Sequence, residues 1–249
     1  MRLERIFFIS DPHIPYQDKR AFEITMDALK DFEPTIVVSV GDFVDFFSVS
    51  SYSKDPGRAL KLDKEIEEAT AALDRINSLA PKAKRIYVAG NHEDRLQRYL
   101  HDKAPEMVPF IDVPKLLGLK EREWKYVPYK QSCKVGKLNI THDVGVATRY
   151  AVYRAMEAFQ APVVTGHTHR MAYVVEGDAR GGSQVSIQFG WLGDVKKVDY
   201  MHKIKAQRNW ALGFGVGYVV PETGHVHLVP VPIVNYTAVV EGRFYGGKR

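Results

Sequence analysis

Four apolar runs in the chain end in the same way. Ile6-Phe7-Phe8-Ile9-Ser10 stops at Asp11 and His13, and Thr35-Ile36-Val37-Val38-Ser39-Val40 stops at Gly41-Asp42-Phe43-Val44-Asp45. Arg85-Ile86-Tyr87-Val88-Ala89 leads into Gly90-Asn91-His92, and Pro162-Val163-Val164-Thr165 into Gly166-His167-Thr168-His169. Continuous β-branched and aromatic runs of this length predict strands buried on both faces, and such strands present functional groups at their carboxyl ends. A fifth run, Lys137-Leu138-Asn139-Ile140-Thr141, ends in His142.

Helical periodicity fills the gaps. Asp18 precedes a stretch with Phe22, Met26 and Leu29 on one face, residues 63–79 carry Ile66, Leu73 and Ile76 as a stripe, and 92–100 reads as a helix starting at His92. Residues 145–159 are also predicted helical, and prolines 105, 109 and 114 predict an irregular insertion. The segment 46–60 is polar and aromatic, a loop beside a carboxylate. Trp124-Lys125-Tyr126-Val127-Pro128 and 132–135 are expected in a second sheet leading to His142. Beyond His169 extended segments dominate: 172–176, 184–189, 212–220, 225–231 and 236–240. Early alternation followed by late strands predicts an α/β fold with two facing sheets flanked by helices, and a single domain over 1–249.

The composition, 45% hydrophobic and 26% charged over 249 residues, suits a folded domain with a substantial core. Cys133 has no second cysteine to bridge to and reads as a small core residue; a cytoplasmic setting is expected from it. No run approaches the ~20 apolar residues of a membrane span. The net charge of +5 allows acidic partners. Lys196, Lys197, Lys203, Lys205 and Arg208 face only Asp194 and Asp199 within 191–210, interleaved with Trp191, Tyr200 and Trp210. Such interleaving predicts a surface that stacks bases and contacts phosphates, so nucleic acid is an expected partner.

Asp11, His13, Asp42, Asn91, His142, His167 and His169 form a mixed imidazole and oxygen donor set. It suits manganese, iron, zinc or nickel better than magnesium or calcium. Seven donors exceed the needs of one ion. Two ions require a bridging group, and Asp42, on the central loop, is the expected bridge. Manganese is the expected metal. His101 and His202 read as surface groups, His225 and His227 as neighbours on one strand face, and Asp94 and Arg95 as groups that cap and solvate the helix.

The order Asp-x-His, Gly-Asp-x-x-Asp, Gly-Asn-His-Glu, His, Gly-His-x-His, over residues 11–169, resembles the calcineurin-like metallophosphoesterase superfamily. The resemblance implies a four-layer α/β/β/α sandwich of two mixed sheets flanked by helices. It assigns Asp11, His13 and His169 to one ion, Asn91, His142 and His167 to the other, and Asp42 to both. It also makes His92 the catalytic histidine and Asp45 its orienting carboxylate. Three departures bear on substrate: Phe46-Phe47 follow Asp45 where the protein phosphatases have Arg-Gly, Asp143 follows His142 where glycine is common, and Gly190-Trp191-Leu192-Gly193 replaces Asn-Pro-Gly-Ser. A phosphodiesterase or nuclease is therefore expected, with Trp191 and Arg149 as substrate contacts. The alternatives are a phosphomonoesterase for a small molecule or phosphoprotein, and a scaffold without activity.

Overall fold

The computed structural model describes residues 2–51, 61–177, 179, 181–197 and 209–247. Strands β1 (Glu4–Ile9), β2 (Ile36–Ser39), β3 (Lys84–Val88) and β4 (Trp124–Val127) run parallel in one sheet. Later in the chain, β10 (Gly213–Val219) and β11 (Val226–Pro232) return antiparallel beside β1, giving six strands in the order β11-β10-β1-β2-β3-β4. The second sheet holds five, β5 (Cys133–Val135), β6 (Leu138–Ile140), β7 (Val163–Thr165), β8 (Met171–Gly177) and β9 (Ser183–Phe189), in the order β5-β6-β7-β9-β8. Both sheets are mixed, as expected. A hairpin of β12 (Thr237–Val240) and β13 (Arg243–Gly246) completes the strands among the described residues, and the sequence pattern did not predict β13.

Strand alternation builds two cores at once. Phe7, Ile9, Val37 and Tyr87 point to the helices α1 (Lys19–Phe32), α2 (Leu62–Leu79) and α3 (Glu93–Lys103). Their neighbours Ile6, Phe8, Val38, Ile86 and Val88 face Ile140, Val164, Ile187 and Phe189 of the other sheet. Consequently the runs look uniformly apolar although each residue has its own side. Asp18 starts α1 by accepting from the Arg20 and Ala21 amides, as its sequence position predicts. The insertion folds as a short turn at Pro105–Met107 and a one-turn helix α4 (Val113–Leu116), and helix α5 (Ala151–Phe159) packs on the second sheet.

Two expectations need correction. Trp124–Val127 belongs to the first sheet: Trp124 and Tyr126 point to the helix-side core, where the Trp124 indole donates to Asn77 Oδ1 at 3.0 Å, and Val127 points between the sheets. Its alternation fits either sheet, and only the partner strand β3 decides. The helix predicted over 145–159 starts only at Ala151, because Gly145 sits at φ +78°, its amide held by Asp143 Oδ1 at 2.7 Å. Cys133 is half-buried against the inter-sheet core, as read from the sequence. No helix among the described residues is long and apolar enough to cross a membrane.

Phe8 is fully buried and stacks on Phe189 across the sheets, centroids 4.8 Å apart. Phe8→Ala is expected to lower unfolding stability by about 3–5 kcal/mol in denaturant titration, through lost burial and the cavity left between the layers.

Candidate metal centre

All seven candidate donors follow a strand end, and the two sheets bring those ends together. The loops after β1 and β2 continue side by side: Asp11 N–H donates to Gly41 O at 3.2 Å, His13 N–H to Asp42 O at 3.0 Å, and Ile14 N–H to Phe43 O at 2.9 Å. His167 N–H donates to Asp11 Oδ1 at 2.9 Å, joining the second sheet to the first. Asp11, His13, Asp42, His167 and His169 all have φ between 47° and 68°. Left-handed backbone is costly for such residues and persists only where the surroundings impose it.

What imposes it at Asp42 is a buried acid. The Glu93 carboxylate, 1% exposed, accepts from the amides of Asp42 (3.1 Å), Phe43 (2.9 Å), Val44 (3.1 Å) and Gly90 (2.6 Å), and from the Tyr87 hydroxyl (2.8 Å). A second buried acid, Glu65 on α2, takes the amides of Phe47 (3.0 Å) and Ser48 (2.8 Å) farther along the same loop. Sequence reasoning assigned neither a role. Glu93 stands in the Gly-Asn-His-Glu motif, but an acid in the first turn of a helix ordinarily faces solvent and reads as a dipole complement. Glycine is required beside it: a Cβ on Gly90 would collide with Asp42 Oδ1 and its amide, and one on Gly41 with the His142 ring.

The donors fall into two groups that share one carboxylate. Asp11, His13, Asp42 and His169 form one, and Asp42, His142 and His167 the other, with ligand atoms within 4.8 Å of one another in each. Asn91 Oδ1 joins the second group, 2.7 Å from His167 Nδ1 and 3.2 Å from His142 Nε2. Asp42 Oδ1 is occupied by the His92 amide at 2.9 Å, which leaves Oδ2 for both sides: it is 3.3 Å from His142 Nε2 and 3.9 Å from His13 Nε2. The centre therefore has the capacity for two metal ions.

The ring nitrogens fit that use. His142 Nδ1 is tied to Val40 O at 2.8 Å and His13 Nδ1 to Asp45 Oδ2 at 3.1 Å, so each ring turns Nε2 inward. His13 Nε2 and His169 Nε2 converge to 3.0 Å, two acceptors facing one another unless a proton or a cation lies between them. Burial lowers the pKa of His13, His167 and His169, the last most strongly, which keeps those imidazoles neutral as ligands must be. Burial also raises Asp11 to about 7. Burial opposes charge on both Asp42 and His142, yet their mutual attraction prevails: Asp42 is held well below the ordinary carboxylate range and His142 is pushed up to about 10.

His92 and Asp45 stand next to the donors. His92 Nδ1 lies 2.9 Å from Asp45 O and 3.3 Å from Asp45 Oδ2, and its Nε2 lies 3.8 Å from Asp42 Oδ2. Asp45 thus serves His13 as well as His92, and the neighbouring imidazoles depress its pKa against the effect of burial.

Trp191 corrects an expectation. It is 3% exposed and stacks flat on His169, centroids 4.6 Å apart, with Trp210 edge-on to both rings. A face already covering His169 cannot stack a base; Trp191 backs the ligand instead. Tyr200, His202, Lys203, Lys205 and Arg208 lie outside the described residues. Arg149 sits in the exposed turn before α5; after burial, its charge is the next cause lowering the pKa of Arg170, which directly follows His169. The Asp143 carboxylate holds the Gly145 turn and belongs to neither donor group.

Two mixed sheets between helices, with Asp and His clusters where their strand ends meet, define a calcineurin-like phosphoesterase. The chain belongs to that family, whose profile matches residues 4–228. It is similar to the gene 54 protein of Mycobacterium phage D29, at 30% identity over 262 residues covering 97% of this chain and 98% of the phage protein. The gene 54 protein of Mycobacterium phage L5 is 29% identical over 260 residues, with the same coverage. Among solved structures, vacuolar protein sorting 29 from Cryptosporidium parvum matches at TM-score 0.49 and 13% identity, over 97% of this chain and 94% of that one.

Glu93→Gln keeps the shape but turns an NH2 group toward backbone donors. It is expected to weaken metal binding about 10–100-fold and to cost about 1.5–3 kcal/mol of stability, read by metal titration and denaturation. His142, raised from 6.5 to about 10, must lose a proton to become a ligand. Metal affinity is therefore expected to rise with pH toward that value, with proton release at neutral pH measured by calorimetry in buffers of different ionisation enthalpy. In the metal-free protein, the stability contributed by a His142 raised from 6.5 to about 10 is complete below 6.5 and lost as pH rises through about 10.

Proposed function

We propose that this chain hydrolyses phosphate esters at a dinuclear metal site, and that its substrate is a phosphodiester, either nucleic acid or a nucleotide diester. The observation that carries the proposal is Asp42 Oδ2, shared by two groups of donors: the Asp11 carboxylate with the neutral imidazoles of His13 and His169 on one side, and His142, the neutral imidazole of His167 and the Asn91 amide oxygen on the other. Asp11, His13 and His169 would hold one ion, Asn91, His142 and His167 the other, with manganese as the ion proposed. When bound, two such cations polarise phosphoryl oxygens and acidify a water. His92, backed through Nδ1 by Asp45, supplies a proton to the leaving oxygen from Nε2, on the Asp42 side of the ring.

Support for a diester comes from the residue after Asp45, where a fully buried Phe46 stands instead of an arginine, and from two basic groups, the half-buried Arg170 that directly follows His169 and the exposed Arg149 whose charge acts on it. One observation favours a second reading, a phosphomonoesterase: Arg95 brings a guanidinium to the centre from another position. Hydrolysis of a panel of monoesters, diesters, cyclic nucleotides and single- and double-stranded DNA and RNA with added metal separates the two. Monoesters cleaved far faster than every diester would establish the second.

Asp42→Asn is expected to abolish most activity and reduce metal content below two equivalents while circular dichroism stays unchanged. His92→Ala should retain both ions yet slow turnover roughly 10²–10⁴-fold on esters with poor leaving groups, and less on a nitrophenyl ester that needs no proton.

A further inference from the structure

Arg95 was expected to solvate the first turn of α3, but its guanidinium turns inward, with its side chain only 12% exposed. Nη1 donates to both Asp45 O, at 3.0 Å, and Asp45 Oδ1, at 3.1 Å. Nη2 lies 2.9 Å from His92 Nε2. A guanidinium nitrogen has only hydrogens to offer, so His92 Nε2 is the acceptor there and Nδ1 is the nitrogen that donates to Asp45 O. The same Nε2 lies 3.8 Å from the shared oxygen of Asp42. Nη2 is thus a single hydrogen-bonded ring away from the place where both donor groups meet.

We infer that Arg95 is the cation that grips the substrate phosphate. Nη1 stays anchored on Asp45, while Nη2 passes from His92 Nε2 to a non-bridging oxygen of the scissile phosphoryl group. Both contacts to Asp45 use Nη1 alone, so the anchor survives the exchange. Exchange is favourable because a hydrogen bond from a guanidinium to a phosphate oxygen joins two charged groups, whereas the bond it replaces ends on a neutral ring. The exchange also frees His92 Nε2 to take up from solvent the proton that it then passes to the leaving oxygen. Arginine is needed for this geometry, since one planar fork must hold an anchor and a ligand together. The inference rests on the phosphoesterase reading and names the group that recognises its phosphate.

The test compares wild type, Arg95→Gln and Arg95→Lys in the metal-loaded protein. Three quantities are measured: bound metal, affinity for inorganic phosphate by calorimetry, and kcat and KM on the best ester of the panel. Metal content is expected to be the same in all three. Arg95→Gln should bind phosphate at least about 10-fold more weakly and lose about 10²-fold in kcat/KM, with only part of each recovered by lysine. Equal phosphate affinity in the three proteins overturns the inference. Loss of metal in both variants also overturns it, because Arg95 would then be a support for Asp45 and His13. Phosphate titration needs no turnover, so a wild type that cleaves no ester sinks the phosphoesterase reading while the binding comparison still decides Arg95.

Discussion

The centre depends on one buried carboxylate. Glu93 gathers four amides and a tyrosine hydroxyl, and three of those amides belong to Asp42, Phe43 and Val44. Placing an ionised acid in the core costs several kcal/mol unless every oxygen is satisfied, and here both oxygens are. In exchange, a loop that would relax away from φ 47° at Asp42 is held there. Glu65 repeats the device at Phe47 and Ser48, so the loop is gripped from α3 at one end and from α2 at the other.

With that loop in place, electrostatics follow from burial. Asp11, Asp42 and Asp45 are within 4% of complete burial, and the histidines around them supply most of the nearby compensation. Asp42 and His142 form an ion pair that a bound cation would replace, exchanging a proton for a metal at the same oxygen. Neutral His13, His167 and His169 complete a site prepared for positive charge.

Asp45 links this charge arrangement to chemistry. Its side chain faces His13, His92 and Arg95, one residue from a donor group, one beside it and one at its edge. The aromatic pair Trp191 and Trp210 closes the opposite side by covering the His169 ring. Asn91, His167 and Arg95 are only partly buried, so the centre opens to solvent along that side, where the further arginines Arg149 and Arg170 also lie near the His167-Thr168-His169 loop.

All strands but β13, the two-sheet class and the seven candidate donors were legible in the sequence, because buried parallel strands leave uninterrupted apolar runs and their ends carry the polar residues. Local pattern could not tell that Trp124–Val127 pairs with β3, since alternation fits an edge strand of either sheet. Nor could it show that Glu93, Glu65 and Arg95 point inward, because a charged residue on a helix has the same spelling whether it faces water or a loop. Trp191 failed as a surface residue for a related reason: an aromatic among lysines looks like a binding platform until a histidine from another strand end, twenty-two residues earlier, is found against its face. Short-range preference determined which residues end the strands. Only the closing of the two sheets decided which of their neighbours would be buried with them, and burial is what turns an ordinary acid or arginine into part of the site.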